Sequence, residues 1–104
     1  MILLTGATGF LGKRVAKKLE ARSLEFYPTS LSMGTDLRDF SAVQMLFKEV
    51  KPEKVINCAA YVGGIQFGYK HPAELFRNNL LMTINLLEAC RELSVQRLVN
   101  PISN

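Results

Sequence analysis

Met1-Ile2-Leu3-Leu4-Thr5-Gly6-Ala7-Thr8-Gly9-Phe10-Leu11-Gly12 opens the chain, and this stretch decides the fold. Residues 1–5 form a short apolar run of the kind that makes a parallel strand buried on both faces. From Leu11 the period changes. Leu11, Val15 and Leu19 recur every four residues with Ala16 beside them, while Lys13, Arg14, Lys17, Lys18 and Glu20 fall mostly on the opposite side. Strand, glycine turn and amphipathic helix therefore follow one another without a gap. The glycines stand at 6, 9 and 12, and each has a task in a dinucleotide-binding turn. Gly6 lets the chain reverse sharply out of the strand, Gly9 leaves the backbone open to a diphosphate, and Gly12 lets the helix sit close to the sheet. Free N–H groups and the positive end of the helix dipole favour an anion at that point. The first helical turn holds no Asp or Glu, as expected where a ligand brings the negative charge. The bland alternative is a turn that only packs the helix, but the strand and helix around it favour a nucleotide site.

Outward from this unit, residues 24–28 read as a second strand closed by Pro28, and residues 29–34 as a turn. Residues 41–50 carry Val43, Leu46, Phe47 and Val50 in a helical stripe, which Lys51-Pro52 stops. A third strand is expected over 54–60 and a loop with Gly63-Gly64 over 61–69. A helix follows from Pro72 to about Leu93, with Leu75, Phe76, Leu80, Leu86, Leu87 and Cys90 as its apolar side. Residues 96–100 make a last short strand. Strands alternating with helices imply an α/β fold, a Rossmann-type parallel sheet with flanking helices in an incomplete doubly wound arrangement. Ligands in such sheets bind beyond the carboxyl ends of the strands, here residues 6–12, 29–30, 59–64 and 101–104.

The 104 residues, 48% apolar and 21% charged, suit one globular domain and exclude a disordered chain. No apolar run is long enough to span a membrane, and no secretory signal is expected. Cys58 and Cys90 are too few for a disulfide framework and fit buried thiols in a reducing cytoplasm. Neither has the surroundings of a nucleophile. His71 is alone, so no metal site is expected. Met33, Met45 and Met82 look like apolar filler. The net charge of +4 gathers on Lys13, Arg14, Lys17 and Lys18, but no aromatic residues interleave with them, so a solvated face is expected rather than a nucleic-acid site.

Residues 5–12 resemble the opening motif of the extended short-chain dehydrogenases/reductases, the NAD(P)-dependent epimerase/dehydratase family. Ala59-Ala60-Tyr61-Val62-Gly63-Gly64-Ile65, with Asn79 and Asn85-Leu86-Leu87-Glu88-Ala89, narrows the resemblance to GDP-L-fucose synthase-like sugar-nucleotide epimerases and reductases. It spans essentially the whole chain. The resemblance implies that Gly6, Thr8, Gly9, Phe10, Leu11 and Gly12 cradle a pyrophosphate and that Asp36 and Leu37 hold the adenine. It implies further that Ala59 and Ala60 wall the ribose, that Asn79 supports the site, and that Ser103 is the active-site serine bonding the reacting hydroxyl or carbonyl. Asp36 could instead cap the helix starting near Ser41, and Asn79 could simply bond main chain.

Two departures stand out. The acid expected about 20 residues after the glycines, which would hold the adenosine 2′-hydroxyl of NAD, is missing from Phe26-Tyr27-Pro28-Thr29-Ser30. Lys13 and Arg14 lie near that position, although the arginine usual in NADP enzymes is replaced by Ser30. NADP is thus the expected cofactor, with NAD the alternative. The family's Tyr-x-x-x-Lys pair, the general acid or base and its lysine, is absent: none of Tyr27, Tyr61 and Tyr69 has lysine four residues on. The chain is expected to be the amino-terminal part of a cofactor domain, residues 1–104, without the carboxyl-terminal substrate domain, and inactive alone. The intact enzyme would pass hydride between nicotinamide and a nucleotide-linked sugar; the alternative is a non-catalytic Rossmann module that senses a nucleotide. The helix over 72–93 is expected to join a second copy, making a homo-oligomer.

Overall fold

The computed structural model describes residues 1–60 and 72–100. Among them, β1 (Ile2–Thr5), β2 (Phe26–Pro28), β3 (Lys54–Asn57) and β4 (Arg97–Val99) form one parallel sheet in the order β2-β1-β3-β4. Helices α1 (Phe10–Ala21), α2 (Phe40–Val50) and α3 (Pro72–Glu92) lie in the crossovers, and a short 3-10 turn covers Leu31–Met33. The register pairs Leu4 with Pro28 on one side and with Ile56 on the other, and Ile56 with Val99. The strand order reverses beside β1, which places a topological switch point between β1 and β3.

Side chains alternate across the sheet, and each face has its own core. Leu3 and Val55, both fully buried, join Val43, Leu46 and Phe47 of α2 and Met82, Leu86 and Ala89 of α3. Leu4 packs with Ala7 and Leu19 on the other face, with Ile2, Val15, Ala16, Phe26 and Ile56 around them. This is the α/β parallel sheet expected from the sequence, with strands apolar on both faces.

Several boundaries and faces differ from the sequence expectation. β2 begins at Phe26 rather than residue 24, because the Leu24 N–H instead donates to Leu19 O at 3.0 Å and closes α1, with Ser23 at φ +56°. β3 ends at Asn57, where Asn57 Oδ1 accepts the Ala59 N–H at 3.0 Å and bends the chain away. Leu11 is exposed although it begins the apolar repeat, because the stripe meets the sheet only from Val15 onward. The larger correction is in α3. The sequence pattern turns Phe76, Leu80 and Leu87 to the core, yet they are exposed, and the inner face is Asn78, Met82, Asn85, Leu86 and Ala89. Of the three methionines expected as apolar filler, Met82 fills the core, whereas Met33 and Met45 are 54% and 71% exposed. The helix cap also lies elsewhere. Asp39, not Asp36, caps α2, accepting Ser41 N–H at 3.0 Å and Ala42 N–H at 3.4 Å.

Candidate functional site

A cleft of about 430 Å³ opens at the carboxyl ends of the strands, at the switch point. Thr5, Gly6, Thr8 and Gly9 from the first turn form one wall, and Thr29 to Ser32 from the end of β2 another. Thr35, Asp36, Leu37 and Arg38 close one end, Cys58, Ala59 and Ala60 line the end of β3, and Met82 of α3 reaches in from behind.

The turn has the form its glycines require. Gly6 sits at φ +67°, where an L side chain is strained, and a Cβ there would run into the main chain of Cys58 and Ala59. A Cβ at Gly12 would overlap the carbonyl oxygen of Gly6, so the helix rests directly on the turn. Gly9 differs. Its nearest neighbour for an added Cβ is Gly6 O at 3.5 Å, an ordinary contact, so nothing inside the protein demands a glycine there. Gly9 is the N-cap of α1 without any side-chain cap, and the first turn holds no acidic residue. The first N–H groups of a helix have no intrahelical partner. A diphosphate against Gly9 would satisfy them and the helix dipole together.

Below the cleft, a buried polar network ties three strand ends together. Thr5 Oγ1 donates to Asn57 Oδ1 at 2.5 Å, and Asn57 Nδ2 donates to Asn100 Oδ1 at 2.7 Å. Every buried side-chain polar atom of the described residues has a partner. Hydroxyls crowd the β2 side: Ser30 Oγ lies 3.0 Å from Ser32 Oγ, which lies 3.2 Å from Thr8 Oγ1, and Thr29 pairs with Thr35 at 2.6 Å.

Among the described residues of the lining, Asp36 and Arg38 are the charged ones. Arg38 donates from Nε to Asp36 Oδ1 and from Nη2 to Oδ2, both at 2.9 Å, and its main-chain N–H adds a third bond to Oδ1 at 3.0 Å. The Arg38 side-chain hydrogen bonds are the chief cause that holds Asp36 below its ordinary value of 3.8, against the opposing pull of partial burial. Leu37 between them is buried, and its carbonyl accepts Asn85 Nδ2 from α3 at 2.9 Å. Burial pushes the thiols of Cys58 and Cys90 up, so neither is a ready thiolate.

The structure brings together Gly6, Thr8, Gly9, Asp36, Leu37, Ala59 and Ala60 around one cleft. Gly12 lies beneath the turn, and Phe10 and Leu11 turn exposed side chains to solvent, so their contribution to an anion is the main-chain N–H. Asn79 sits on α3 away from the lining and donates to Leu75 O, one turn back, at 2.9 Å. Ser103 lies outside the described residues, as do Tyr61, Tyr69, His71 and the Gly63-Gly64 pair. Lys13 and Arg14 do not line the cleft, and the Arg14 guanidinium stacks over the Phe10 ring at 4.3 Å. Sequence reasoning missed Arg38. Its one signal was its place two residues after Asp36, the spacing of a side chain that folds back on an aspartate.

Among the described residues no helix is long and apolar enough to cross a membrane, and no group of three candidate ligands could hold a metal. The sequence profile of the NAD dependent epimerase/dehydratase family matches residues 2–104. The chain is 32% identical to the GDP-L-fucose synthase of Dictyostelium discoideum over 104 residues, covering 98% of this chain and 32% of that protein. Among solved structures it resembles the Thermus thermophilus UDP-glucose 4-epimerase complex with NAD (TM-score 0.82, 33% identity, 93% of this chain and 35% of that one). It also resembles a Naegleria fowleri GDP-L-fucose synthetase bound to NADP (TM-score 0.78, 31% identity, 93% and 29%). The chain thus spans about a third of the length of the relatives it matches. A parallel sheet that reverses at β1, a glycine turn under its first helix and a profile matched from the second residue to the last agree: the chain belongs to the NAD dependent epimerase/dehydratase family.

Proposed function

We propose that the cleft holds a nicotinamide adenine dinucleotide and that residues 1–104 are the amino-terminal, cofactor-binding part of a sugar-nucleotide epimerase or reductase like GDP-L-fucose synthase. The observation that carries this is Gly9, a glycine on the cleft wall that the protein's own packing does not require. In this reading Gly6, Thr8, Gly9, Phe10, Leu11 and Gly12 present main chain to the diphosphate, Asp36 and Leu37 meet the adenine, and Ala59 and Ala60 wall the ribose. Asn79 braces α3 behind the site, and Ser103 bonds the reacting hydroxyl or carbonyl of the sugar.

When bound, the dinucleotide supplies hydride chemistry between nicotinamide C4 and a sugar carbon. The chain's own residues bind and orient it. The family's proton-transferring Tyr-x-x-x-Lys pair does not occur in the sequence, so the chain alone binds cofactor without turnover. NADP is favoured over NAD. No carboxylate lies in residues 26–30, and the hydroxyls of Thr8, Ser30 and Ser32 cluster at the end of that segment. The exposed stripe Phe76, Leu80, Ile84 and Leu87 of α3 makes a second copy of the chain its expected partner, and the free thiols suit a reducing cytoplasm.

Calorimetric titration with NADP⁺ and NAD⁺ tests the reading. Saturable binding, tighter for NADP⁺, supports it; tighter NAD⁺ overturns the preference, and no heat with either overturns the site. NADPH with a 4-keto-6-deoxy sugar nucleotide is expected to give no oxidation above background, and light scattering to give oligomers.

A further inference from the structure

Asp36 and Arg38 hold each other at one end of the cleft, and the manner of the grip has a chemical consequence. A carboxylate offers about four acceptor positions, two on each oxygen. Asp36 Oδ1 takes two donors, both from Arg38: the main-chain N–H at 3.0 Å and Nε at 2.9 Å. Oδ2 takes Nη2 of the same residue at 2.9 Å. Among the described residues no other donor reaches this carboxylate, so a single acceptor position remains, and it belongs to Oδ2. A planar fork on both oxygens, with a main-chain bond beside it, removes the carboxylate's freedom to rotate. The segment carrying the pair is anchored as well. Leu37 is buried, its carbonyl is held by Asn85 of α3, and Asp39 begins α2 directly after the arginine.

We infer that Arg38 is a positioning residue for purine recognition, orienting the one remaining acceptor position on Asp36 Oδ2 to receive an N–H of a 6-amino purine, so that the cleft selects a dinucleotide's adenine form over its 6-oxo form. This rests on the dinucleotide reading above. A 6-amino purine turns a donor to that oxygen. A 6-oxo purine turns an acceptor to it, lone pair against anion, and carries its donor one ring position away on N1. A fixed carboxylate tells the two apart. A carboxylate free to rotate follows the N1–H and accepts either base, so loss of the fork erodes discrimination rather than binding as a whole.

The experiment is calorimetric titration of the 104-residue chain, wild type, Arg38→Met and Arg38→Lys, with NADP⁺ and with its hypoxanthine analogue, thermal unfolding confirming that each variant is folded. The wild type is expected to prefer the adenine form by about tenfold or more, the worth of one hydrogen bond to a charged acceptor. Arg38→Met is expected to bring the two ligands within about threefold, chiefly by weakening the adenine form. Arg38→Lys, a point charge that cannot grip both oxygens, is expected to fall between and carries the test if the methionine variant does not fold. The inference is overturned if the variants keep the wild-type ratio, or if both ligands weaken in step, the mark of a merely structural arginine. Equal affinity of the wild type for the two ligands overturns the positioning role while leaving the dinucleotide reading intact. Failure of the wild type to bind either ligand overturns both.

Discussion

Gly9→Ala separates what the fold needs from what a ligand needs. Gly9 has φ −80° and ψ 177°, an extended conformation open to alanine, and the added methyl meets only Gly6 O at 3.5 Å. Removing glycine's freedom from the unfolded chain stabilises by about 0.4–1 kcal/mol where the native geometry is compatible. Alanine is a poorer N-cap than glycine, which takes back about 0.5 kcal/mol. The net change in folding free energy is therefore within about 1 kcal/mol, or a melting shift of about 5 °C or less for a domain of this size. Binding should respond differently. The methyl occupies the wall where diphosphate oxygens need to come within about 2.9 Å of main-chain N–H groups. Losing two such charge-assisted bonds, each worth about 1.5 kcal/mol at the low end, weakens the dinucleotide about 100-fold. Thermal unfolding by circular dichroism and calorimetric titration with NADP⁺ read the two quantities on the same sample. A variant that melts like the wild type and still binds within about threefold refutes the claim that Gly9 backs a ligand.

Gly12→Ala should act in the opposite sense, because its methyl falls on the Gly6 carbonyl; a net loss of about 1–3 kcal/mol is expected despite alanine's better helix propensity, and an unchanged melting temperature contradicts it. Asn85→Leu leaves the Leu37 carbonyl without its donor, an expected cost of about 1–3 kcal/mol by urea unfolding, and an unchanged urea midpoint means that bond is not needed. Since Arg38 lowers Asp36 in the folded state, the pair's stabilisation is fully present above the ordinary value of 3.8 and lost as pH falls through the lowered folded value. Acid titration of the melting temperature should fall more steeply below about pH 4 for the wild type than for Arg38→Met, and parallel curves contradict the assignment. Cys58 lines the cleft and Cys90 does not, so NADP⁺ should slow alkylation of Cys58 alone in a peptide map; protection of neither thiol, or of both equally, counts against the cleft.

The opening strand, turn and helix were legible because two of the three glycines answer a local backbone demand, visible at Gly6 as a positive φ and at Gly12 as a missing Cβ. The strand ends that meet at the cleft were legible from the alternation of apolar runs and helices. The orientation of α3 was not. Periodicity marks where apolar residues recur, but α3 has two apolar stripes, and the inward one contains Asn78 and Asn85. An asparagine satisfied by a main-chain carbonyl 48 residues away leaves no mark in a local pattern. The sequence reading weighed Asp36 as a cap and overlooked Asp39; the main-chain geometry gives the cap to Asp39, beside the first helical residue, and leaves Asp36 to the cleft. Arg38 was overlooked because attention went to the segment about 20 residues after the glycines, whereas Arg38 stands in the next loop, paired with Asp36.

A crystal structure of the chain grown with NADP⁺ tests the central claim most directly. The diphosphate should lie against Gly9 within hydrogen-bond distance of the first main-chain N–H groups of α1, with the purine beside Asp36 and Leu37. A dinucleotide seated anywhere else, or a cleft closed by its own side chains at saturating ligand, contradicts the account.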